Sequence, residues 1–257
     1  MDSTILETRN LGKTFGGLVA VDAVSIRIAR GSTHSIIGPN GAGKTTFFNL
    51  LTGKYKPTRG MVIFKGEDIT SLPVHRRAHK GMGRSFQITN IFPNLTVLEN
   101  VRLAVQALGG VNFRFWRRAE TYGEYIDRAL NILAQLGLTE AANLPASILP
   151  HGGKRKLELA ILLAADAELL LLDEPTAGMA SEQVPELMNI IAGLSKSRQR
   201  TIVMVEHNMN VVMGISDRIT VMSSGRVLVE GTPQQIASDK TVQDVYLGGL
   251  YELGGDR

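Results

Sequence analysis

The 257-residue sequence contains no cysteine. A disulfide framework and a thiolate metal site are therefore excluded, which suits a reducing compartment. Long apolar runs are lacking too. None approaches the roughly 18 residues that a membrane-spanning helix requires, so the chain is expected not to enter a bilayer by itself. Its start, M-D-S-T-I-L-E-T, has neither the basic region nor the apolar centre of a signal peptide, and the expected location is cytoplasmic. Charge of one sign is scarce: 28 Lys and Arg against 24 Asp and Glu leave a net +4. Such a mild excess serves solubility, and it also suits anionic nucleotides or a lipid-facing position. What is present is apolar content of 44%, enough to bury a full core, either as one large domain or as a core with a subdomain.

Strand patterns dominate the first part. V-S-I-R-I alternates Val24, Ile26 and Ile28 with Ser25 and Arg27, and T-H-S-I-I predicts the next strand. P-T-R-G at Pro57 to Gly60 predicts a turn before M-V-I-F. From Val97 the period changes. Tyr122, Tyr125, Ile126, Ala129, Leu130, Leu133 and Leu136 recur at three and four, the stripe of an amphipathic helix closed by Gly137. After Leu149 helical patterns alternate with short apolar runs, L-L-L-L and T-I-V-M-V. This order predicts an α/β fold: a mostly parallel sheet flanked by helices, with a helical subdomain inserted between its halves.

Gly38 to Thr46, G-P-N-G-A-G-K-T-T, matches the phosphate-loop pattern and follows a predicted strand. Small residues let successive N–H groups curl around anionic oxygens, and the helix that follows adds its positive end. Gly38, Pro39, Asn40, Gly41, Ala42, Gly43, Lys44, Thr45 and Thr46 are thus candidate nucleotide-binding residues. Lys44 is expected to reach the β- and γ-phosphates of ATP, and the Thr45 hydroxyl to ligate Mg2+. Asp173 and Glu174 end four leucines, where a buried parallel strand delivers side chains to a crevice. Asp173 suits the metal, and Glu174 suits the attacking water.

These residues resemble the ATP-binding subunits of ABC transporters, and the resemblance covers nearly the whole chain. Gln87 in R-S-F-Q resembles the glutamine that contacts magnesium and water and links the core to the helical subdomain. His207 in V-M-V-E-H-N resembles the switch histidine at the γ-phosphate, and Phe15 in T-F-G-G-L the aromatic that stacks on adenine. F-G-G-L-V-A-V-D, R-S-F-Q-I-T-N-I-F-P-N-L-T-V-L-E-N-V, V-E-H-N-M-N-V-V-M-G-I-S-D-R-I and E-G-T-P with a terminal Y-L-G bring the chain nearest to the branched-chain amino-acid uptake branch and its relatives for urea and amides. The resemblance implies one ABC ATP-binding domain over 1–257, with an antiparallel β part and a helical subdomain at 88–165. It also implies a head-to-tail pair with a second ATP-binding subunit, two membrane-spanning permease subunits, an indirect link to a solute-binding protein, no nucleic acid, and a peripheral place on the cytoplasmic face of the inner membrane.

In that family a motif near L-S-G-G-Q starts a helix whose tip caps the γ-phosphate bound by the opposite subunit. The spacing to Asp173 aligns it with Leu149, Pro150, His151, Gly152 and Gly153, of which only Leu149 and Gly152 match. Pro150 removes a hydroxyl and an N–H while remaining suited to a first helical turn. Lys154, Arg155 and Lys156 follow and are expected to restore part of the positive potential there. Two readings are open: an asymmetric pair with one impaired ATP site, or two working sites. Ala180 in T-A-G-M-A stands where many relatives carry Asp or Asn. F-R-F-W-R-R at Phe113 to Arg118 is read as a partly buried loop anchor or a basic-aromatic surface facing the membrane partner or lipid headgroups, and Y-L-G-G-L-Y-E-L-G-G-D-R as a docked segment with a frayed tail. The leading function is the ATPase of an importer for branched-chain or related small amino acids; a soluble ABC ATPase, a nucleotide-gated regulatory subunit and an importer subunit for urea or amide-type solutes are the alternatives.

Overall fold

The computed structural model describes residues 4–85, 91–108, 120–196 and 200–251. The chain opens with β1 (Thr4–Phe15), β2 (Leu18–Val24), β3 (Arg27–Ala29) and β4 (Thr33–Ile37), then α1 (Lys44–Thr52), β5 (Arg59–Phe64) and β6 (Glu67–Asp68). It continues through α2 (Val74–His79), β7 (Met82–Arg84), α3 (Val97–Leu108), α4 (Glu120–Gln135), a 3-10 turn at Ala146–Ile148 and α5 (His151–Ala164). The last part runs β8 (Leu169–Asp173), α6 (Val184–Lys196), β9 (Thr201–Val205), α7 (Met209–Ile215), β10 (Arg218–Ser223), β11 (Arg226–Gly231), α8 (Pro233–Ser238) and α9 (Lys240–Tyr251).

Two sheets result. The core sheet has the order β11-β10-β4-β9-β8-β7, and only the β10–β11 pair is antiparallel. Every residue of β4, β8 and β9 is buried, the continuous burial expected of parallel strands covered on both faces. The second sheet is antiparallel, in the order β2-β1-β5-β6 with β3 on β1. Successive leucines of β8 point to opposite faces. Leu169 and Leu171 join a cluster with Ile5, Phe47, Phe48 and Phe64, which fills the space under the antiparallel sheet. Leu170 and Leu172 join another with Val101, Leu133, Leu157 and Leu187, so α3, α4, α5 and α6 share one apolar core with the opposite face.

The V-S-I-R-I pattern is right in burial and wrong in continuity. Val24, Ile26 and Ile28 are buried while Ser25 and Arg27 are exposed, yet the ladder breaks between β2 and β3. The physical reason is β1, which pairs with β2 through Leu11 to Phe15 and with β3 through Thr4 to Glu7. The Thr8 hydroxyl bridges the gap, donating to Val24 O (3.1 Å) and accepting from Ile26 N–H (3.1 Å). The terminal segment read as docked is helix α9 through Tyr251, continuing across Gly248 and Gly249. Gln87 and Phe113 to Arg118 lie outside the described residues.

Candidate functional site

β4 ends at Ile37, and the chain must turn at once to start α1. Gly38 (φ 151°) and Gly43 (φ 94°) occupy backbone conformations that favour glycine. A side chain has no room at either: a Cβ on Gly38 would lie 2.1 Å from Met222 O, and one on Gly43 2.4 Å from Ala20 O. The loop is therefore pressed between β2 and the β10–β11 hairpin, whose turn donates from Gly225 N–H to Ala42 O (3.0 Å). Lys44 is buried, and its ammonium donates to Gly38 O (2.7 Å) and Pro39 O (2.9 Å). An ammonium has three donors, so one remains. Burial pushes the Lys44 pKa down, and the charge of Glu174 partly opposes this.

Asn40 to Thr46 line an open cleft of about 530 Å³, together with Glu174, His207, Leu18 to Ala20 and Ser224 with Gly225. Glu174 follows the last residue of β8 and holds a left-handed φ of 49°, a strained backbone for a residue with a Cβ. Its N–H donates to Val205 O (2.9 Å), and its Oε1 lies 2.9 Å from Nε2 of the half-exposed His207. His207 leads into α7, whose N-cap Asn208 accepts from Asn210 N–H and Val211 N–H.

Asp173, the last residue of β8 and the neighbour of Glu174, is buried. Its N–H donates to Ser85 Oγ (3.0 Å), and its Oδ2 lies 3.3 Å from the Arg84 guanidinium, which also donates to Asn49 Oδ1 and Thr52 Oγ1. Oδ1 has no hydrogen-bond partner among the described residues. Burial pushes the Asp173 pKa up, opposed by Arg84. A buried carboxylate oxygen without a donor is suited to a cation, so this residue fits a divalent metal.

Phe15 does not line the cleft. Its ring, 41% exposed, meets Tyr55 edge-on with centroids 5.4 Å apart, and Lys13 Nζ sits 5.0 Å from its centroid. Leu149 to Gly153 do not line it either. Leu149 is buried, and Pro150 is the N-cap of α5 with φ −62° and no side-chain cap. The exposed His151 ring lies over Gly178, where an added Cβ would be 3.1 Å from its Cε1. Gly152 is packed against Gln183. The basic turn differs from expectation: Arg155 is paired with Glu158 (2.9 Å) and Lys156 with Glu186, so two of the three cations already have acidic partners.

Sequence reasoning missed Leu18, Val19, Ser224, Gly225, Arg84 and Glu206. Glu206 carried a signal, since an acid directly after the apolar run T-I-V-M-V is placed where buried strands end. The others carried none, because their place depends on how the two sheets meet.

A fold with a glycine loop between a buried parallel strand and a helix, facing an acid at the end of a neighbouring strand, is that of a phosphate-loop ATPase. Comparison with known proteins gives the particular class. The ABC transporter family model matches residues 21–177, and that of the branched-chain amino acid ATP-binding cassette transporter matches residues 226–251. The chain is 42% identical to the high-affinity branched-chain amino acid transport ATP-binding protein LivG of Escherichia coli and 40% identical to BraF of Pseudomonas aeruginosa, in each case over 96% of this chain and 99% of the relative. Among solved structures it is similar to an ABC transporter cassette in its ADP conformation, with a TM-score of 0.82 and 29% identity over 95% of this chain and 99% of that one. A dimeric cassette in a post-hydrolysis state with ADP and Pi has a TM-score of 0.75 and 28% identity over 89% of this chain and 99% of that one. The chain belongs to the ABC transporter family of ATP-binding cassettes, and it is an ATPase of that class.

Proposed function

We propose that this chain is the ATP-hydrolysing, energy-coupling subunit of a membrane importer for branched-chain or related small amino acids. The observation that carries the mechanism is the convergence of Lys44, Glu174 and His207 on one cleft, with Glu174 and His207 in contact at 2.9 Å. The amides of Asn40 to Thr46 hold the triphosphate, and Lys44 turns its ammonium from its own loop carbonyls toward the β- and γ-phosphates. Glu174 orients the attacking water and accepts its proton as the oxygen bonds to γ-phosphorus and ADP leaves. His207 donates to the γ-phosphate, and its contact with Glu174 ties the two groups in register. Asp173 and Thr45, with Gln87, would hold magnesium. That ion, when bound, supplies positive charge to the phosphate oxygens.

Phe15, outside the phosphate cleft but close in sequence to the cleft-lining Leu18 and with its ring 41% exposed, supports the adenine beyond the cleft. Residues 88–165 form the helical subdomain, and Leu149 to Gly153 at its helix tip face the nucleotide of a second ATP-binding subunit. ATP draws the two subunits together and hydrolysis releases them, which biases two membrane-spanning permease subunits between their states. The chain works on the cytoplasmic face of the inner membrane, a solute-binding protein delivers the amino acid outside, and no nucleic acid is involved. Glu174→Gln tests this reading: turnover falls by about 10²–10⁴-fold with nucleotide binding retained. Unchanged turnover would remove Glu174 from the mechanism.

A further inference from the structure

The strand β9 is wholly buried, and the residue after it is Glu206, only 3% exposed and with no cation paired to it among the described residues. A buried carboxylate is costly unless its oxygens are well supplied with donors. Here they are. Oε1 accepts from Thr176 N–H (3.0 Å) and from the Thr176 hydroxyl (2.6 Å), while Oε2 accepts from His207 N–H (3.0 Å) and Asn208 N–H (3.3 Å). One oxygen therefore serves the loop after β8 and the other the loop after β9. Those loops carry Glu174 and His207.

The neighbouring bonds show why such a tie is needed. Asp173 and Val205 are register partners at the ends of β8 and β9, and Glu174 N–H donates to Val205 O. Beyond that point the parallel ladder stops and the two chains are free to diverge. Glu174 also sits at φ 49°, which persists only where the surroundings hold it. Glu206 lies one residue past the last ladder bond and joins the loops there, with charge-assisted bonds that are stronger than neutral ones.

We propose that Glu206 is a positioning residue for ATP hydrolysis: it locks the two strand-end loops so that the Glu174 carboxylate and the His207 imidazole stay in contact and in line with the γ-phosphate. This rests on the reading of Glu174 and His207 given above. Glu206 does not line the cleft proposed to take the nucleotide, so its effect is expected to fall on kcat and to leave the KM for ATP unchanged.

Glu206→Gln tests it in the full-length chain. An amide offers one oxygen, and its NH2 faces donors on the other side, so one loop is released. Turnover is expected to fall by about tenfold to a hundredfold, the scale of an ångström-sized misplacement, with KM for ATP and binding of a fluorescent ATP analogue within twofold of the parent. Thr176→Val removes only the hydroxyl contact and leaves the carboxylate in place, so it tests the same tie if Glu206→Gln folds poorly. It lowers kcat several-fold, Thr176→Ser restores it, and in the double variant the Thr176 substitution adds little to Glu206→Gln. Amide hydrogen exchange speeds up at 174–180 and 206–210 and not in β8 or β9, a readout independent of turnover. Unchanged kcat with unchanged exchange in both loops overturns the proposal, as does exchange that rises equally throughout the core. Glu174→Gln is run beside them: if that variant keeps turnover, the reading of the site has failed; if it loses turnover while the Glu206 and Thr176 variants keep theirs, only the positioning role has failed.

Discussion

Helices α1 and α5 both begin without a side-chain cap, and they end up in opposite situations. The first residue of α1 is Lys44, and its N-cap Gly43 lies in a loop that lines a cleft of about 530 Å³ with Glu174 and His207 opposite. The first residue of α5 is His151, and its ring lies on Gly178 of the same chain. Their far ends differ as well. Neither helix has a basic residue in its own last turn, but the last carbonyls of α1, Leu50 O and Leu51 O, accept from the guanidinium of Arg77 in α2 at 3.0 and 2.7 Å, while the backbone N–H of Ala165 caps α5 by donating to Ile161 O. An uncapped helix start is thus not a binding site by its own dipole. What makes it one is what the rest of the fold brings opposite it and how firmly the helix is held behind it.

The comparison breaks first at Lys44. Lys44→Ala is expected to lower ATP turnover by about 10²–10³-fold, the cost of losing one preorganised donor at a developing charge. A variant with near-normal steady-state hydrolysis would make the two helix starts equivalent. Next comes the rear anchor of α1. Arg77 is 1% exposed, burial pushes its pKa down to about 10 against the pull of Asp68, and it also donates to Leu72 O and Thr70 O. It remains charged at neutral pH. Arg77→Met leaves these carbonyls without their donor, and stability in urea titration is expected to fall by about 3 kcal/mol or more.

Acid sharpens the contrast next. His34, on the strand that leads into the phosphate loop, is buried, bonded through Nε2 to Thr220 Oγ1 (2.7 Å), and pushed down from 6.5 to about 4 by burial and then by Arg218. The unfolded chain binds this proton more readily than the folded one. Stability is therefore full above about pH 6.5 and declines as the pH falls toward 4, by about 3 kcal/mol from this group. Urea midpoints across that range report the slope, and His34→Gln flattens it. The smallest effect belongs to α5. Pro150→Ser supplies a cap for the N–H of Gly152 or Gly153, worth about 0.5–2 kcal/mol, against about 0.4–1 kcal/mol lost by freeing the unfolded chain. A gain in melting temperature of a few degrees at most is expected; a drop would mean that the fixed φ of Pro150 matters more than the missing hydroxyl.

Asn40 to Thr46, Asp173 with Glu174, and the strands β4, β8 and β9 were legible in the sequence, because each is a run of consecutive residues whose place follows from strand, loop and helix geometry. His207 was placed by resemblance, and the structure puts it on the cleft. Phe15, placed the same way, packs on Tyr55 outside the cleft. The acidic partners of Arg155 and Lys156 were not legible: Glu158 competes from the same helix, and Glu186 arrives from α6.

The sequence by itself determined that there is a phosphate loop, which strand delivers the acids, and which stretches are helical, since those depend on local dihedrals and short periods. Only the tertiary structure decided that the hairpin turn at Ser224 and Gly225 walls the cleft, that Arg77 closes α1, and that Glu206 joins the loops carrying Glu174 and His207. These contacts join residues about 26 to 180 positions apart or depend on how such contacts are oriented. Sheet order and register bring them together, and no local pattern encodes either.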